Sequence, residues 1–241
     1  VRTPSRIEKG IDYLGWIVPA QSRLNPTDFP YVSKWQGNPS FAAENVITYE
    51  IGYRTSVIKN LSFDISGFYS KYRGLNSYLP LGANLGPDSS YIIENLLMTN
   101  REQAHSYGLE VASVWQMLKW WRWDMNHSWY HDQHASKINY ASSPHHRSSI
   151  RGLINVTSNL DFDVWWRYVG QANADSAFGY ISIPSYFAMD LRTAWRPSKN
   201  LELSVTGQNL LQNKHLEYVS DSVFLPAAIV RGVYGKISLT F

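Results

Sequence analysis

Arg231-Gly232-Val233-Tyr234-Gly235-Lys236-Ile237-Ser238-Leu239-Thr240-Phe241 alternates residue by residue and stops on an aromatic. Val233, Gly235, Ile237, Leu239 and Phe241 share one face of a strand; Gly232, Tyr234, Lys236, Ser238 and Thr240 share the other. A half-buried strand of a soluble sheet also alternates. A strand with lipid on one side and a wet lumen on the other reads the same way and can end on an exposed aromatic.

The pattern recurs upstream in segments of about 9–13 residues, the length a tilted strand needs to cross a bilayer. Val46–Thr55 sets Ile47, Tyr49, Ile51 and Tyr53 against Thr48, Glu50, Gly52 and Arg54. Leu61–Tyr72, Tyr107–Gln116, Trp120–Tyr130, Leu160–Val169 and Tyr186–Arg196 follow, with Ser143–Val156 and Leu201–Asn209 less regular. Charges fall on the polar parity. A midplane Arg or Lys facing lipid costs roughly 2–4 kcal/mol, so the sorting has an energetic cause. A two-sheet sandwich would alternate too, with its charges on the outer faces.

Composition agrees. The 241 residues include ten Trp and sixteen Tyr, rings that a barrel can place at both membrane interfaces. No run approaches the roughly 18 apolar residues of a transmembrane helix. Without cysteine, disulfide frameworks and thiolate metal sites are excluded. A net charge of +3 with no Lys/Arg run gives no basis for nucleic-acid binding. No G-x-S-x-G, P-loop or H-E-x-x-H string occurs, so an enzyme is not expected, nor a cofactor.

Connections alternate in length. Short links sit at Ser56–Asn60, Met117–Lys119, Thr157–Asn159 and Pro197–Asn200; long ones at Ser5–Asn45, Leu75–Gln103, His134–Ser142, Gln171–Ser185 and Leu211–Ile229. Short turns on one rim and long loops on the other indicate an outer-membrane barrel with its long loops outside the cell. Tyr53, Trp115, Trp121 and Trp195 are then expected in the lower aromatic girdle, and Tyr69, Trp129, Tyr168 and Tyr186 in the upper one. Nine full strands are counted, with the end of another at Val1–Pro4. An odd number with open edges predicts part of a larger barrel.

Several strings resemble TonB-dependent outer-membrane receptors. Val1-Arg2-Thr3-Pro4-Ser5 resembles the strand end before a large loop. Asn38-Pro39-Ser40-Phe41, Glu44 and Tyr49-Glu50-Ile51-Gly52-Tyr53-Arg54 are similar to the family's "NPxLxxE…YExGYR" segment. His105–Glu110, Asp190-Leu191-Arg192, Val205–Leu211 and the closing Arg231–Phe241 continue the resemblance in order, with Pro226 displaced from its usual place beside the arginine. It implies an all-β, antiparallel transmembrane β-barrel, here the C-terminal strands of a 22-stranded barrel. The plug, the motor-binding TonB box and the first dozen strands lie outside this sequence. It also implies energised uptake of a scarce nutrient, an iron–siderophore complex first among them, powered by TonB–ExbB–ExbD through the plug. Further implied partners are the barrel-assembly machinery, reading Tyr234 and Phe241, and outer-membrane lipid and lipopolysaccharide. The alternatives are a passive porin, an adhesin or phage-receptor barrel, and a soluble all-β carbohydrate-binding domain.

Candidate substrate contacts are aromatic and basic loop residues: Tyr13, Trp16, Arg23, Tyr31, Trp35, Tyr78, Tyr91, Phe178, Tyr180 and Tyr218. The competing reading is that these rings pack the loops into a lid. His131, His134, His145 and His146 cluster at one rim and suit a metal, although His131 and His134 point to opposite faces of a strand. They read equally as rim histidines bonded to loop backbone. Lumenal charges, Glu50 and Arg54 through Arg192 and Glu202, read as a cross-strand paired wall.

Overall fold

The computed structural model describes residues 1–15, 17–21, 25–134, 143–176, 179–219 and 227–240, without the side chains of 174–176, 179, 180 and 227. In chain order the elements are α1 (Arg6–Gly10), β1 (Asp12–Leu14), β2 (Tyr31–Gln36), β3 (Asn45–Ile58), β4 (Leu61–Leu85), β5 (Ile92–Leu118), β6 (Trp121–His134) and β7 (His146–Thr157). They continue with β8 (Leu160–Val169), β9 (Ala172–Ser176), β10 (Gly179–Ile183), β11 (Tyr186–Ser198), β12 (Leu201–Gln208), β13 (Lys214–Tyr218), β14 (Ala227–Val230) and β15 (Gly232–Leu239). Among the described residues no helix is long and apolar enough to cross a membrane.

Nine strands form one antiparallel meander in the order β3-β4-β5-β6-β7-β8-β11-β12-β15. Their register joins the segments read from sequence into two continuous faces. One row runs Thr55, Phe63, Ser113, Met125, Ile150, Trp166, Met189, and the row above it Tyr53, Ile65, Val111, His127, Ser148, Tyr168, Phe187. The intervening row on the other face runs Arg54, Asp64, Ala112, Asn126, Ser149, Arg167, Ala188. Among the described residues no second sheet covers the apolar side: Ile51 is 79% exposed and Ile237 71%. A sandwich would bury that face, so its partner is lipid.

The register also fixes the tilt. Leu61 aligns in turn with Trp115, Trp123, Gly152, Val164, Leu191 and Gly207. Beyond each short turn the next strand starts progressively lower: Trp121 two residues below Trp123, Leu160 four below Val164, Leu201 six below Gly207. The stagger is one residue per strand. With about 3.3 Å per residue and about 4.8 Å between strands, it tilts the strands by about 35°. Transmembrane barrels tilt by the same amount.

Two girdle assignments change. Tyr186 pairs with Val169, on the lumenal parity, whereas Phe187 beside it faces lipid, because alternation begins at the strand's first residue. Tyr53 pairs with Ile65, four residues above the turn, and so sits about 11 Å up the membrane normal rather than at its lower edge. Tyr69, Trp129 and Tyr168 keep the upper level, each eight residues above Leu61, Trp121 and Leu160.

Several connections expected as loops carry strands. β4 and β5 continue past the barrel as a hairpin whose tip is at 86–91, with register shifts near Leu75 and Pro80. β2 adds to the outer end of β5 in parallel, Tyr31 beside Ile92 through Gln36 beside Leu97, and β1 pairs with β2. The 171–185 and 211–229 connections contain the hairpins β9–β10 and β13–β14.

Ile150→Arg puts a cation on the lipid face at mid-height and should lower the unfolding free energy of the whole receptor by about 2–4 kcal/mol, whereas Ser149→Arg, lumenal, should cost under about 1 kcal/mol. Urea unfolding in detergent or vesicles measures both; equal costs would contradict the assignment of faces.

Candidate functional site: the lumenal wall and its rim

The lumenal parity collects the carboxylates of the barrel strands and answers them with arginines on neighbouring strands. Arg196 Nη2 lies 2.6 Å from Asp161, and its Nη1 lies 3.2 Å from Glu202. Glu202 also takes Arg192 at 2.8 Å, Arg192 reaches Asp163 at 3.2 Å, and Asp163 stands 3.9 Å from Arg151. The chain Asp161–Arg196–Glu202–Arg192–Asp163–Arg151 thus ties β7, β8, β11 and β12 together on the water side. Arg54–Asp64, across β3 and β4, and Arg122–Asp124, within β6, are separate pairs on the same face. Each pair is partly solvated and worth at most about 1 kcal/mol. Together they make a polar wall with no acid or base set apart for chemistry.

Higher up, Arg167 binds Asp190 at 2.9 Å and lies over the Trp165 ring at 4.4 Å. Asp190 also accepts the Asn209 N–H at 2.9 Å. Asn209 adopts a positive φ of 54°, a conformation its short polar side chain tolerates, and its amide donates to Val230 O at 3.3 Å. The polar cluster around Asp190 therefore fixes where β12 leaves the barrel for the 211–229 connection.

Arg147 stands where two lumenal clefts meet at the rim. One, about 220 Å³, is lined by Phe68, Glu110, Ser128, Tyr130, Pro144 and Arg147. The other, about 420 Å³, is lined by Arg147, Val169, Asn173, Tyr186, Glu217 and Tyr218. Gly108 keeps the first open: a Cβ there would lie 2.6 Å from Trp129 O and 2.7 Å from the Phe68 ring. Tyr186 stacks on His215 at 4.2 Å, and His215 Nε2 bonds Glu217 at 2.7 Å. Ala172, Ile183 and Val219, with Ile181 and Leu216, pack the two hairpin-bearing connections together beside the second cleft. A cation among phenol and carboxylate oxygens can hold an anionic or polar ligand by charge-assisted hydrogen bonds.

A second platform stands on the β4–β5 hairpin. Trp35 meets Tyr78 edge-on at 5.6 Å, Tyr13 is its register partner across β1–β2, and Tyr31 and Tyr91 lie near the tip. Arg2 anchors the base of this segment through Glu8 and Glu44, the latter at 2.7 Å, while backbone bonds of 3.0 Å join residues 2 and 44 in both directions. Ser5 caps α1 in a capping box with Glu8. The bond from the Arg2 guanidinium is the main cause holding the Glu8 and Glu44 carboxyls below the usual carboxylate range.

The candidate contacts therefore separate. Tyr13, Tyr31, Trp35, Tyr78 and Tyr91 belong to the hairpin platform and Tyr218 to the cleft at Arg147. Trp16, Arg23, Phe178 and the Tyr180 side chain lie outside the described residues, as does Phe241; Tyr234 pairs with Thr206 on the lumenal parity. Arg147 and Glu110 were legible only as lumenal wall, and the partnership of Tyr130, Tyr186 and Glu217 with them needed the register. The four metal candidates are not brought together. His131 stacks on His145 at 5.1 Å, His146 faces His127, and His134 sits by Asp132 on the lumenal parity. Among the described residues no three His, Asp or Glu are grouped to hold a metal ion.

A tilted sheet, apolar on one side and ion-paired on the other, with short turns below and hairpin-bearing connections above, is the wall of an outer-membrane β-barrel. The family profile described as "TonB dependent receptor-like, beta-barrel" matches residues 14–210, and the chain belongs to that family, whose members are outer-membrane transporters rather than enzymes. Among solved structures, a double mutant of the ferric enterobactin receptor PfeA from Pseudomonas aeruginosa superposes with a TM-score of 0.72 at 17% identity, over 99% of this chain and 36% of that one. The siderophore receptor PirA from Acinetobacter baumannii gives 0.69 at 15%, over 87% and 34%, and the copper transporter OprC 0.63 at 15%, over 86% and 33%. The chain thus spans about a third of the length of these structures. No curated protein sequence matches it.

Because the folded carboxyls of Glu8 and Glu44 titrate low, the Arg2 clamp contributes fully above the ordinary carboxylate range and is lost as pH falls through the folded values. Protection of the Glu44 amide against hydrogen exchange, corrected for intrinsic rate, should fall on acidification below about pH 4. In Arg2→Leu it should be low throughout and independent of pH.

Proposed function

We propose that this chain is the C-terminal part of a receptor barrel that captures a scarce extracellular nutrient, most specifically an iron–siderophore complex, and admits it to the periplasm with energy from TonB–ExbB–ExbD. The observation that supports this reading is the lumenal wall: an arginine–carboxylate ladder across β7, β8, β11 and β12, with the Arg147 clefts above it. Such a wall suits a polar plug sliding against it and a ligand held at its top.

β3 and β15 each pair on one side only among the described residues, and unpaired strand edges in lipid cost several kcal/mol per group. Strands outside this sequence supply the missing partners. In this proposal they complete a 22-stranded barrel around a plug that carries the motor-binding TonB box. The five connections at 5–45, 75–103, 134–142, 171–185 and 211–229 are its extracellular loops. Arg147, Tyr130, Tyr186 and Tyr218 hold the ligand from the wall, while Tyr13, Trp35 and Tyr78 contact it from the platform. Arg6, Lys34 and Lys214 add attraction for an anionic chelate. Tyr234 and Phe241 on the closing strand are read by the barrel-assembly machinery.

Radiolabelled uptake in a receptor-deletion strain, complemented with the whole gene and supplied with a panel of ferric chelates, identifies the substrate. Uptake should vanish when TonB is deleted; TonB-independent passage would make the protein a porin, and no uptake with retained surface binding an adhesin or phage receptor. In the same assay Arg147→Ala should weaken apparent affinity about tenfold, the scale of one lost charge-assisted contact. Lys59→Ala, at a periplasmic turn, should leave it unchanged.

A further inference from the structure

On the lumenal parity of the barrel strands one arginine stands without a carboxylate. Arg54, Arg122, Arg151, Arg167, Arg192 and Arg196 each have a carboxylate oxygen within 4 Å. Among the described residues Arg147 has none. The register is the reason: its neighbours across the sheet are Ser128 on β6 and Val169 on β8, one a hydroxyl and the other apolar. The rule that an arginine is answered from the adjacent strand therefore stops below the clefts. At this height the wall leaves room for an anionic group from elsewhere.

The larger cleft supplies the opposite charge. Glu217 lines it together with Arg147, yet the two do not pair. Glu217 is bonded instead to His215, two residues earlier on β13, whose Nε2 lies 2.7 Å from its Oε1. A carboxylate only accepts, so the ring donates. His215 is the buried member, its side chain 6% exposed, and it stacks on Tyr186 at 4.2 Å; the Glu217 side chain stays 40% exposed. Tyr186 opens β11, so the stack fastens the β13–β14 hairpin to the wall and carries the Glu217 carboxylate to the cleft.

A cation and a carboxylate that face one cleft of about 420 Å³ without neutralising each other select by charge. A simple anion gains Arg147 but meets Glu217, and a simple cation meets the reverse. A group that carries both charges satisfies both. The phenols of Tyr186 and Tyr218 and the side-chain amide of Asn173 add donors and acceptors around the pair.

Given the receptor function proposed above, we propose that this cleft is the subsite for a zwitterionic arm of the ligand: a chelate that carries a free ammonium beside a carboxylate, as at the end of an amino acid. The arm's carboxylate accepts paired N–H bonds from the Arg147 guanidinium, and its ammonium donates to Glu217. His215 is a positioning residue, which fixes the carboxylate that touches the ligand. The chelating groups stay outside the cleft, so the subsite reads the arm and not the metal.

The test measures, by titration calorimetry on the whole receptor in detergent, the affinity for three ferric trihydroxamates of one backbone: a parent ending in a free α-amino acid, its N-acetyl derivative and its carboxamide. In the wild type each derivative should bind about tenfold more weakly than the parent, the scale of one lost charge-assisted contact. Arg147→Gln should abolish the penalty of amidation and keep that of acetylation, and Glu217→Gln should do the reverse. His215→Leu should lose only the preference for the free ammonium, and His215→Gln, which keeps an N–H donor, should retain it. Equal weakening of all three chelates by His215→Leu would overturn its positioning role. Should the His215 variants not fold, the solvated Arg147 and Glu217 positions still decide the subsite. Equal affinity of the wild type for the three chelates overturns it, as does failure of all three to bind. So does a carboxamide that binds as well as the parent, the result of a plug carboxylate already seated on Arg147. TonB-dependent uptake of the three without preference would overturn the subsite and leave the receptor function standing. The binding preference without TonB-dependent uptake would support the subsite and overturn that function.

Discussion

The period of two along each strand, locked in register across nine strands, is the constraint on which everything else here depends. A slip of one residue anywhere between β4 and β12 would carry Arg192 and Asp163 into lipid and turn Trp166 and Leu191 to water. Lipid does not forgive that exchange, since each misplaced cation costs roughly 2–4 kcal/mol at the midplane. The ion-pair ladder is a consequence of this sorting. Once charges are confined to one face, the one-residue stagger sets arginines beside carboxylates on adjacent strands. The pairs stabilise little individually, and they leave the lumen polar without a large net field.

The barrel was legible in the sequence because lipid imposes its rule locally. Leu160–Val169 and Trp121–Tyr130 announce their faces without any knowledge of their partners, and the short turns mark one end of the strands they join. What lay beyond the membrane was harder to read. Between Arg73 and Gln103 bulges interrupt the alternation, Gly74 and Gly82 take positive φ, and both faces are wetted, so period two no longer carries energy. Parallel addition of β2 to β5 joins segments some sixty residues apart, and no local pattern encodes that pairing.

The candidate site divides along the same line. Aromatic loop residues could be picked out by composition, and five of them do gather on the hairpin platform. Their separation from Tyr218 could not be seen, because it follows from which hairpin each connection builds. Arg147 offers the clearest case. In the sequence it is one charge of many on the polar parity. Only the register sets it beside Ser128 and Val169, and only the packing of Ile183 with Val219 brings Glu217 and Tyr218 over it.

The histidines show how the same residue type acquires different meanings from depth and parity. His134, on the lumenal parity, answers Asp132 and belongs to the wall. His131, three positions earlier, faces outward at the headgroup level, where a carboxylate would be unfavourable and a long cation is scarce. A ring that donates hydrogen bonds whether neutral or charged suits a boundary between hydrocarbon and water better than an obligate charge, since its desolvated form costs less. That argument explains why the outward face holds several imidazoles while its permanent cations, among the described residues of the barrel strands, are Lys71 and Arg73. It also ties the rim's composition to the membrane itself, independently of whichever ligand the lumen admits.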